Sequence, residues 1–179
     1  MRVIAGEFRS RLLKTPAGLA TRPTPDRLRE SLFSILAPQI EGTVFVDLYA
    51  GCGSAGIEAV SRGAARAVFI EKARIAINAI RENVASLGIG ARALVLQGDV
   101  AKLVPSVKGD IYFLDPPYDR PAEYSKTLGM LAAEAPEAAI VIAQHASRHT
   151  LEESYGSLHR YRTVRQGDNS LSFYRRQLD

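Results

Sequence analysis

After residue 42 the apolar residues of this chain gather into short unbroken runs. These are separated by stretches in which apolar positions recur every three or four residues. Val44-Phe45-Val46-Asp47-Leu48, Ala67-Val68-Phe69-Ile70, Ala93-Leu94-Val95-Leu96, Ile111-Tyr112-Phe113-Leu114 and Ala139-Ile140-Val141-Ile142 are strand-like, being mostly β-branched, aliphatic or aromatic. Between them, residues 74–87 place Ile77, Ile80, Val84 and Leu87 at helical spacing. A helix opening at Pro121 sets Tyr124, Leu128 and Leu131 on one face. Unbroken runs, unlike alternating ones, mean strands covered on both sides. Their alternation with amphipathic helices predicts an α/β fold built on a mostly parallel sheet. Residues 157–165 and 169–176, joined at Gln166-Gly167-Asp168, predict an antiparallel C-terminal hairpin closing one edge.

Residues 1–42 break this rhythm. Val3-Ile4-Ala5-Gly6 and Leu12-Leu13 suit a short β-hairpin. Thr24 to Leu36 suits a helix with Leu28, Leu32, Ile35 and Leu36 on one side, entered through the rigid Thr21-Arg22-Pro23-Thr24-Pro25. The expected organisation is an N-terminal extension, 1–42, packed on a main domain, 43–179. A chain of 179 residues suits one full core with such an appendage.

Composition excludes several classes. Cys52 is the single cysteine, so no disulfide forms within the chain. The three histidines show no metal-ligand spacing, and no metal is expected. No apolar run approaches the roughly 18 residues of a membrane span, and no signal-peptide pattern opens the chain; a cytoplasmic protein with no membrane partner is expected. The net charge is +4. Residues 1–30 carry seven basic side chains (Arg2, Arg9, Arg11, Lys14, Arg22, Arg27 and Arg29) against three acidic ones, while residues 31–179 carry 16 of each. This partition suggests a polyanion docking at the N-terminal end; the plainer alternative is a solvated surface.

Gly51-Cys52-Gly53-Ser54-Ala55-Gly56 has the G-x-G-x-x-G form between a strand and a helix, with Glu71 closing the next strand. The loop alone fits any adenosine-containing cofactor. Asp47 tilts the balance. A carboxylate beside the loop repels a pyrophosphate but suits a cationic, phosphate-free cofactor such as S-adenosylmethionine. Asp99, in Gln97-Gly98-Asp99-Val100, is placed to face an adenine amino group. Asp47 and Asp99 also suit helix caps, and Glu71 suits a surface position.

The fourth strand ends in Asp115-Pro116-Pro117-Tyr118. An exocyclic base amine is a poor nucleophile because its lone pair is delocalised into the ring. Activating it requires acceptors for both N–H groups, and an Asp carboxylate with a proline-held backbone carbonyl supplies them. Tyr118 offers a face on which an extruded base can stack. The alternative for this tetrapeptide is a tight turn after a buried strand.

Together these residues resemble the RsmD family of bacterial 16S rRNA guanine-N2 methyltransferases. The likeness runs from Arg2-Val3-Ile4-Ala5-Gly6 through Arg22-Pro23-Thr24-Pro25-Asp26-Arg27-Leu28-Arg29-Glu30-Ser31-Leu32-Phe33 and Asp47-Leu48-Tyr49-Ala50-Gly51-Cys52-Gly53 to Asp115-Pro116-Pro117-Tyr118. The resemblance implies a Rossmann-like methyltransferase fold with S-adenosyl-L-methionine as donor. It implies a guanine of 16S rRNA as acceptor, presented in a partly assembled small ribosomal subunit; a monomer is expected. Carried over, Asp47, Tyr49, Ala50, Gly51, Gly53, Glu71 and Lys72 hold the cofactor. Asp99 and Val100 face its adenine, Thr24 lies over cofactor or target, and Asp115 to Tyr118 hold the base. Gln144 departs from the glutamate expected of relatives at its position. The seven N-terminal cations are the expected RNA contacts. Three other readings stay open: an adenine-N6 methyltransferase on DNA or RNA, an NAD-linked oxidoreductase, and a catalytically silent RNA-binding assembly factor.

Overall fold

The five apolar runs lie side by side in one sheet. The computed structural model describes residues 1–17 and 24–177. β1 (Val44–Leu48), β2 (Arg66–Glu71), β3 (Ala93–Gln97), β4 (Ile111–Leu114) and β5 (Ile140–Ala146) run parallel in the order β3-β2-β1-β4-β5. β7 (Leu158–Gln166) and β8 (Asn169–Arg176) form the expected hairpin, with β8 inserted antiparallel beside β5. The outermost strand, β6 (Ser154–Tyr155), is not legible in the sequence, because two residues are too short to carry a periodic pattern.

Helices cover both faces. α1 (Asp26–Leu36), α2 (Ser54–Ser61) and α3 (Arg74–Leu87) lie on one side, α4 (Val100–Leu103) and α5 (Ala122–Glu134) on the other. On the first side Leu28, Leu32 and Phe33 of α1 pack on Ile142 and Phe173. The Phe33, Phe45 and Phe113 rings follow one another at centroid distances of 5.8 and 6.3 Å. On the second side Leu128 and Leu131 of α5 meet Val46, Leu114 and Tyr174. Burying each such side chain stabilises the fold by about 1.5–3 kcal/mol. The sheet order reverses at β1, between β2 on one side and β4 on the other. Diverging connections therefore open a crevice at the carboxyl ends of β1 and β4.

The N-terminal hairpin is smaller than expected. It has a single antiparallel bridge, Arg2 to Leu12, with Val3 N–H donating to the Arg11 carbonyl at 3.0 Å. Its anchor is a side chain, the fully buried Glu58 of α2. That carboxylate accepts from the backbone N–H groups of Ile4 (2.8 Å) and Ala5 (3.0 Å) and from Arg62 Nε (2.8 Å). Gly6 permits the close approach: its φ is +85°, and a Cβ there would stand 1.9 Å from the Ser61 carbonyl oxygen. Glu58→Gln is expected to destabilise the protein by about 2 kcal/mol, since one oxygen becomes a donor facing other donors. Calorimetry checks this, and a loss well under 1 kcal/mol would remove Glu58 as the anchor.

Arg29 corrects one expectation. The charge pattern places it among the RNA-facing cations, yet it is 1% exposed. Its position after Leu28 turns it toward the core, and its guanidinium donates to the Arg2 carbonyl (2.6 Å) and to Asp26 (3.2 Å). It ties the first residues of the chain to α1 and presents no charge to solvent.

Candidate active site

The loop after β1 is a sequence of left-handed residues: Tyr49 (φ +61°), Gly51 (φ +58°) and Gly53 (φ +82°). For Tyr49 this conformation is unfavourable by about 1–2 kcal/mol. Its side chain is held on α5, where the phenol oxygen lies 3.0 Å from Glu123 Oε2 and 2.7 Å from Thr127 Oγ1. Ala50 donates its N–H to the Ile70 carbonyl (3.0 Å), and Gly53 donates to that of Ala50 (2.8 Å). The glycines separate into two roles. A Cβ on Gly56 would lie 2.4 Å from the Phe69 ring, so this glycine lets α2 press onto β2. A Cβ on Gly51 would meet nothing within 4 Å among the described residues, so the loop has an open side toward them.

The strand-end carboxylates brace this loop. Asp47 Oδ2 accepts from Gly56 N (2.9 Å) in the first turn of α2, whose own N-cap residue, Gly53, has no side chain to offer. Glu71 Oε2 accepts from Gly51 N (2.9 Å), and its Oε1 accepts from Lys72 N and Ala73 N (2.8 Å each) at the start of α3. Asp99 Oδ1 caps α4 through Ala101 N (2.9 Å), ahead of the buried Val100; the Lys72 side chain is exposed. Capping and ligand binding are not exclusive here, since a carboxylate has about four acceptor sites. The electrostatics of Asp47 point the same way. Burial, then the charges of Asp115 and Glu71, push the Asp47 carboxyl well above the usual range, with Gly56 N–H opposing. Crowded carboxylates at the ends of β1, β2 and β4 suit a ligand that brings its own positive charge.

Asp115 follows β4 directly. The register pairs Leu114 with Leu48 on one side and with Ala143 on the other, which sets Asp115 between the glycine loop and Gln144. Burial pushes its carboxyl up to about 7. Gln144 lies inside β5, one residue past Ala143 and 1% exposed. Its Nε2 donates to Asp115 Oδ2 (3.2 Å), its Oε1 accepts from Thr24 Oγ1 (3.0 Å), and its carbonyl accepts from the Tyr124 hydroxyl (2.8 Å). One amide thus joins the N-terminal extension to the Asp-Pro-Pro-Tyr turn. Pro116 is buried, Pro117 is exposed, and Tyr118 is 46% exposed with its hydroxyl donating to Asn169 Oδ1 (3.0 Å) at the start of β8. Gln144 is marked in the sequence only as a departure from the expected glutamate, and the role of Asn169 carries no sequence signal, because its partner lies 51 residues away.

The remaining N-terminal cations divide. Arg2 pairs with Asp26 (3.6 Å), Lys14 pairs with Glu82, and Arg11 donates to the Ser86 carbonyl (3.0 Å). Arg9 and Arg27 are exposed, and Arg22 lies outside the described residues. The N-terminal hairpin rests on α2 and α3, with Val3 and Leu13 against Val60 and Val84. The strand hairpin that touches Tyr118 is the C-terminal one.

Residues 1–175 match the model of a family described as conserved hypothetical protein 95. The chain is 34% identical to the putative rRNA methyltransferase YlbH of Bacillus subtilis, over 99% of this chain and 100% of that protein. It is 39% identical to ribosomal RNA small subunit methyltransferase D of Escherichia coli K12, over 67% of this chain and 61% of that protein. Among solved structures it is similar to a putative methyltransferase, yhhF, from Escherichia coli. That match has a TM-score of 0.87 and 29% identity, covering 99% of this chain and 98% of that one.

Proposed function

The chain belongs to the RsmD family of ribosomal RNA methyltransferases, and on that premise we propose that it methylates the exocyclic N2 amine of a guanine in small-subunit rRNA, with S-adenosylmethionine as donor. Family membership removes the oxidoreductase reading. The observation that carries the proposal is Asp115, held by Gln144 beside a loop whose carboxylates await a cationic ligand.

The donor supplies a methyl group made electrophilic by a sulfonium. Among this chain's residues, Asp47 and the open side of Gly51 would receive the amino-acid end, Glu71 the ribose and Asp99 the adenine. These assignments fit the crowded carboxylates and, among the described residues, the open space beside Gly51. Asp115 accepts one N–H of the guanine amine, and the Pro116 carbonyl accepts the other. This localises the nitrogen lone pair and aims it. Tyr118 supports the extruded base. As the nitrogen becomes positive, its proton passes to Asp115 Oδ. A carboxyl raised to about 7 is a competent acceptor at neutral pH. Thr24 and Gln144 hold that carboxylate in register. Residues 1–42 serve as the docking extension, and the enzyme works as a monomer on a partly assembled small subunit.

Two measurements test this reading. Mass spectrometry of rRNA from a deletion strain is expected to show one N2-methylguanosine lost. Loss of an N6-methyladenosine would transfer the reading to the adenine alternative, and loss of neither would overturn it. The pH profile of kcat/KM is expected to rise about tenfold per unit below 7 and to level off above, because only the ionised Asp115 accepts. Gln144→Leu removes a donor that favours the ionised form, so its midpoint moves up. A profile flat from pH 6 to 8 would exclude Asp115 as the group that takes the proton.

A further inference from the structure

Charge along the chain admits a second partition. Residues 158–176 hold five arginines (Arg160, Arg162, Arg165, Arg175 and Arg176) against Asp168 alone, a surplus of +4 equal to that of residues 1–30. The two surpluses differ in how the fold uses them. In the N-terminal segment, Arg29 is buried and Arg2 and Lys14 are ion-paired, while Arg9, Arg11 and Arg27 are exposed and, among the described residues, without an ion pair. Among the described residues, none of the five hairpin arginines forms an ion pair within 4 Å. Arg160 and Arg176 instead donate to the Leu151 and Ala132 carbonyls, and Arg165 to that of Gly167. Arg162, Arg165 and Arg175 are exposed, and Arg162 and Arg175 have no such carbonyl partner among the described residues.

These two share one face of the sheet. Arg162 pairs with Phe173, and His159 pairs with Arg175, two residues on from Phe173 in the same strand. Cross-strand partners project to the same side, and so do residues two apart, so Arg162, Arg175 and His159 line up beside the α1 flank. A register shift between Arg160 and Arg162 inserts Tyr161 as an extra residue. Its ring lies 6.2 Å from that of Phe173, stays 42% exposed and carries the Arg175 guanidinium 4.7 Å above its centroid. The aromatic ring orients Arg175 without neutralising it. This face is tied to the site at the turn end of the hairpin: Gln166 Nε2 donates to Ser31 of α1 (2.5 Å), and Asn169 accepts from Tyr118.

We propose that the outer face of the C-terminal hairpin, centred on Arg162, Tyr161 and Arg175, is a docking surface for the phosphate backbone of the RNA whose base enters at Tyr118. The inference rests on an RNA substrate, as given under the proposed function, and moves part of the docking from the N-terminal extension to the opposite end of the chain. Unpaired, oriented arginines on a sheet face attract phosphates without reading bases. Their contribution therefore falls with salt and is insensitive to sequence.

The test uses the full chain with deproteinised 16S rRNA and with partly assembled small subunits, comparing wild type with R162Q/R175Q. Equal affinity for S-adenosylhomocysteine establishes that the variant is folded. The expected result is affinity for deproteinised rRNA about tenfold weaker at moderate salt. The slope of log K against log salt should be shallower by about 1.4, near 0.7 for each phosphate no longer neutralised. In turnover, KM should rise with kcat nearly unchanged. An unchanged slope and affinity would overturn the proposal. So would weaker binding seen only with assembled particles, which would instead mark a protein-facing surface. Y161F, which keeps the ring under Arg175, is expected to bind as wild type, whereas Y161A should weaken binding. Because binding is read separately from methylation, a wild type that binds rRNA but methylates no guanine would overturn the proposed function alone.

Discussion

Asp115→Asn is expected to lower turnover about 1,000-fold while S-adenosylhomocysteine still binds within about threefold of wild type. The amide keeps the shape of the side chain and its contact with Gln144. What it loses is the capacity to take a proton and to present acceptors on both sides. The same change is expected to stabilise the folded protein. Burial raises the Asp115 carboxyl to about 7, above its ordinary value of 3.8. A carboxyl raised on folding penalises the folded state increasingly as pH climbs from about 4 to 7, and fully above that. Asn carries no such penalty. Its advantage should therefore be absent near pH 4 and reach a few kcal/mol by pH 8. Single-turnover kinetics and thermal melts at both pH values check the pair of effects. Turnover within a few-fold of wild type would remove Asp115 from the chemistry. A melting difference independent of pH would remove the buried carboxylate as its cause.

Glu71→Ala is the second large effect, and it falls on cofactor binding. One carboxylate receives three backbone N–H groups, from Gly51, Lys72 and Ala73, so it fixes the glycine loop and the start of α3 together. Without it those donors lose their acceptor, and the loop loses the conformation that leaves Gly51 open. Hydrogen bonds to a charged group contribute about 1.5–3 kcal/mol each, and the deficit is shared between stability and binding. Affinity for S-adenosylhomocysteine is expected to fall about 100-fold, with rRNA binding nearly unchanged. Calorimetry with the cofactor product and a filter-binding measurement with rRNA separate the two. Cofactor affinity within threefold of wild type would show that the loop holds its shape without Glu71. Glu71→Gln should be intermediate, since one side-chain oxygen remains to accept.

The two variants act on groups that are legible in the sequence alone. Asp115 and Glu71 each follow an apolar run, and a strand rising about 3.3 Å per residue fixes which residue stands at its end. The glycine loop is legible for the same reason: positive φ at Gly51 and Gly53 is a local demand that few other residues meet. Tyr49 shares that backbone region without being glycine, and nothing in its neighbours announces the Glu123 and Thr127 contacts that hold it.

Charge is where local reading is incomplete. Summing charges along the chain singles out residues 1–30, but a sum does not say which cations reach water. Arg29 lies on the inward stripe of α1 because helical periodicity places it beside Leu28 and Leu32, and Lys14 meets Glu82 of α3, whereas Arg9, Arg11 and Arg27 stay exposed. The C-terminal hairpin, with the same surplus, keeps Arg162 and Arg175 exposed and, among the described residues, without an ion pair on its outer face.

The strands other than β6, the helices that alternate with them, the glycine turn and the carboxylates at the strand ends all follow from interactions within a few residues, so pattern alone determined them. Contacts spanning tens of residues were decided by the packed sheet. Gln144 reaches both Asp115 and Thr24 because β5 lies beside β4 and α1 begins above them, and Tyr118 meets Asn169 because β8 turns back beside β5. Only a folded sheet brings such distant residues within hydrogen-bond distance, and only burial in it distinguishes a charge that holds the protein together from one left to meet a partner.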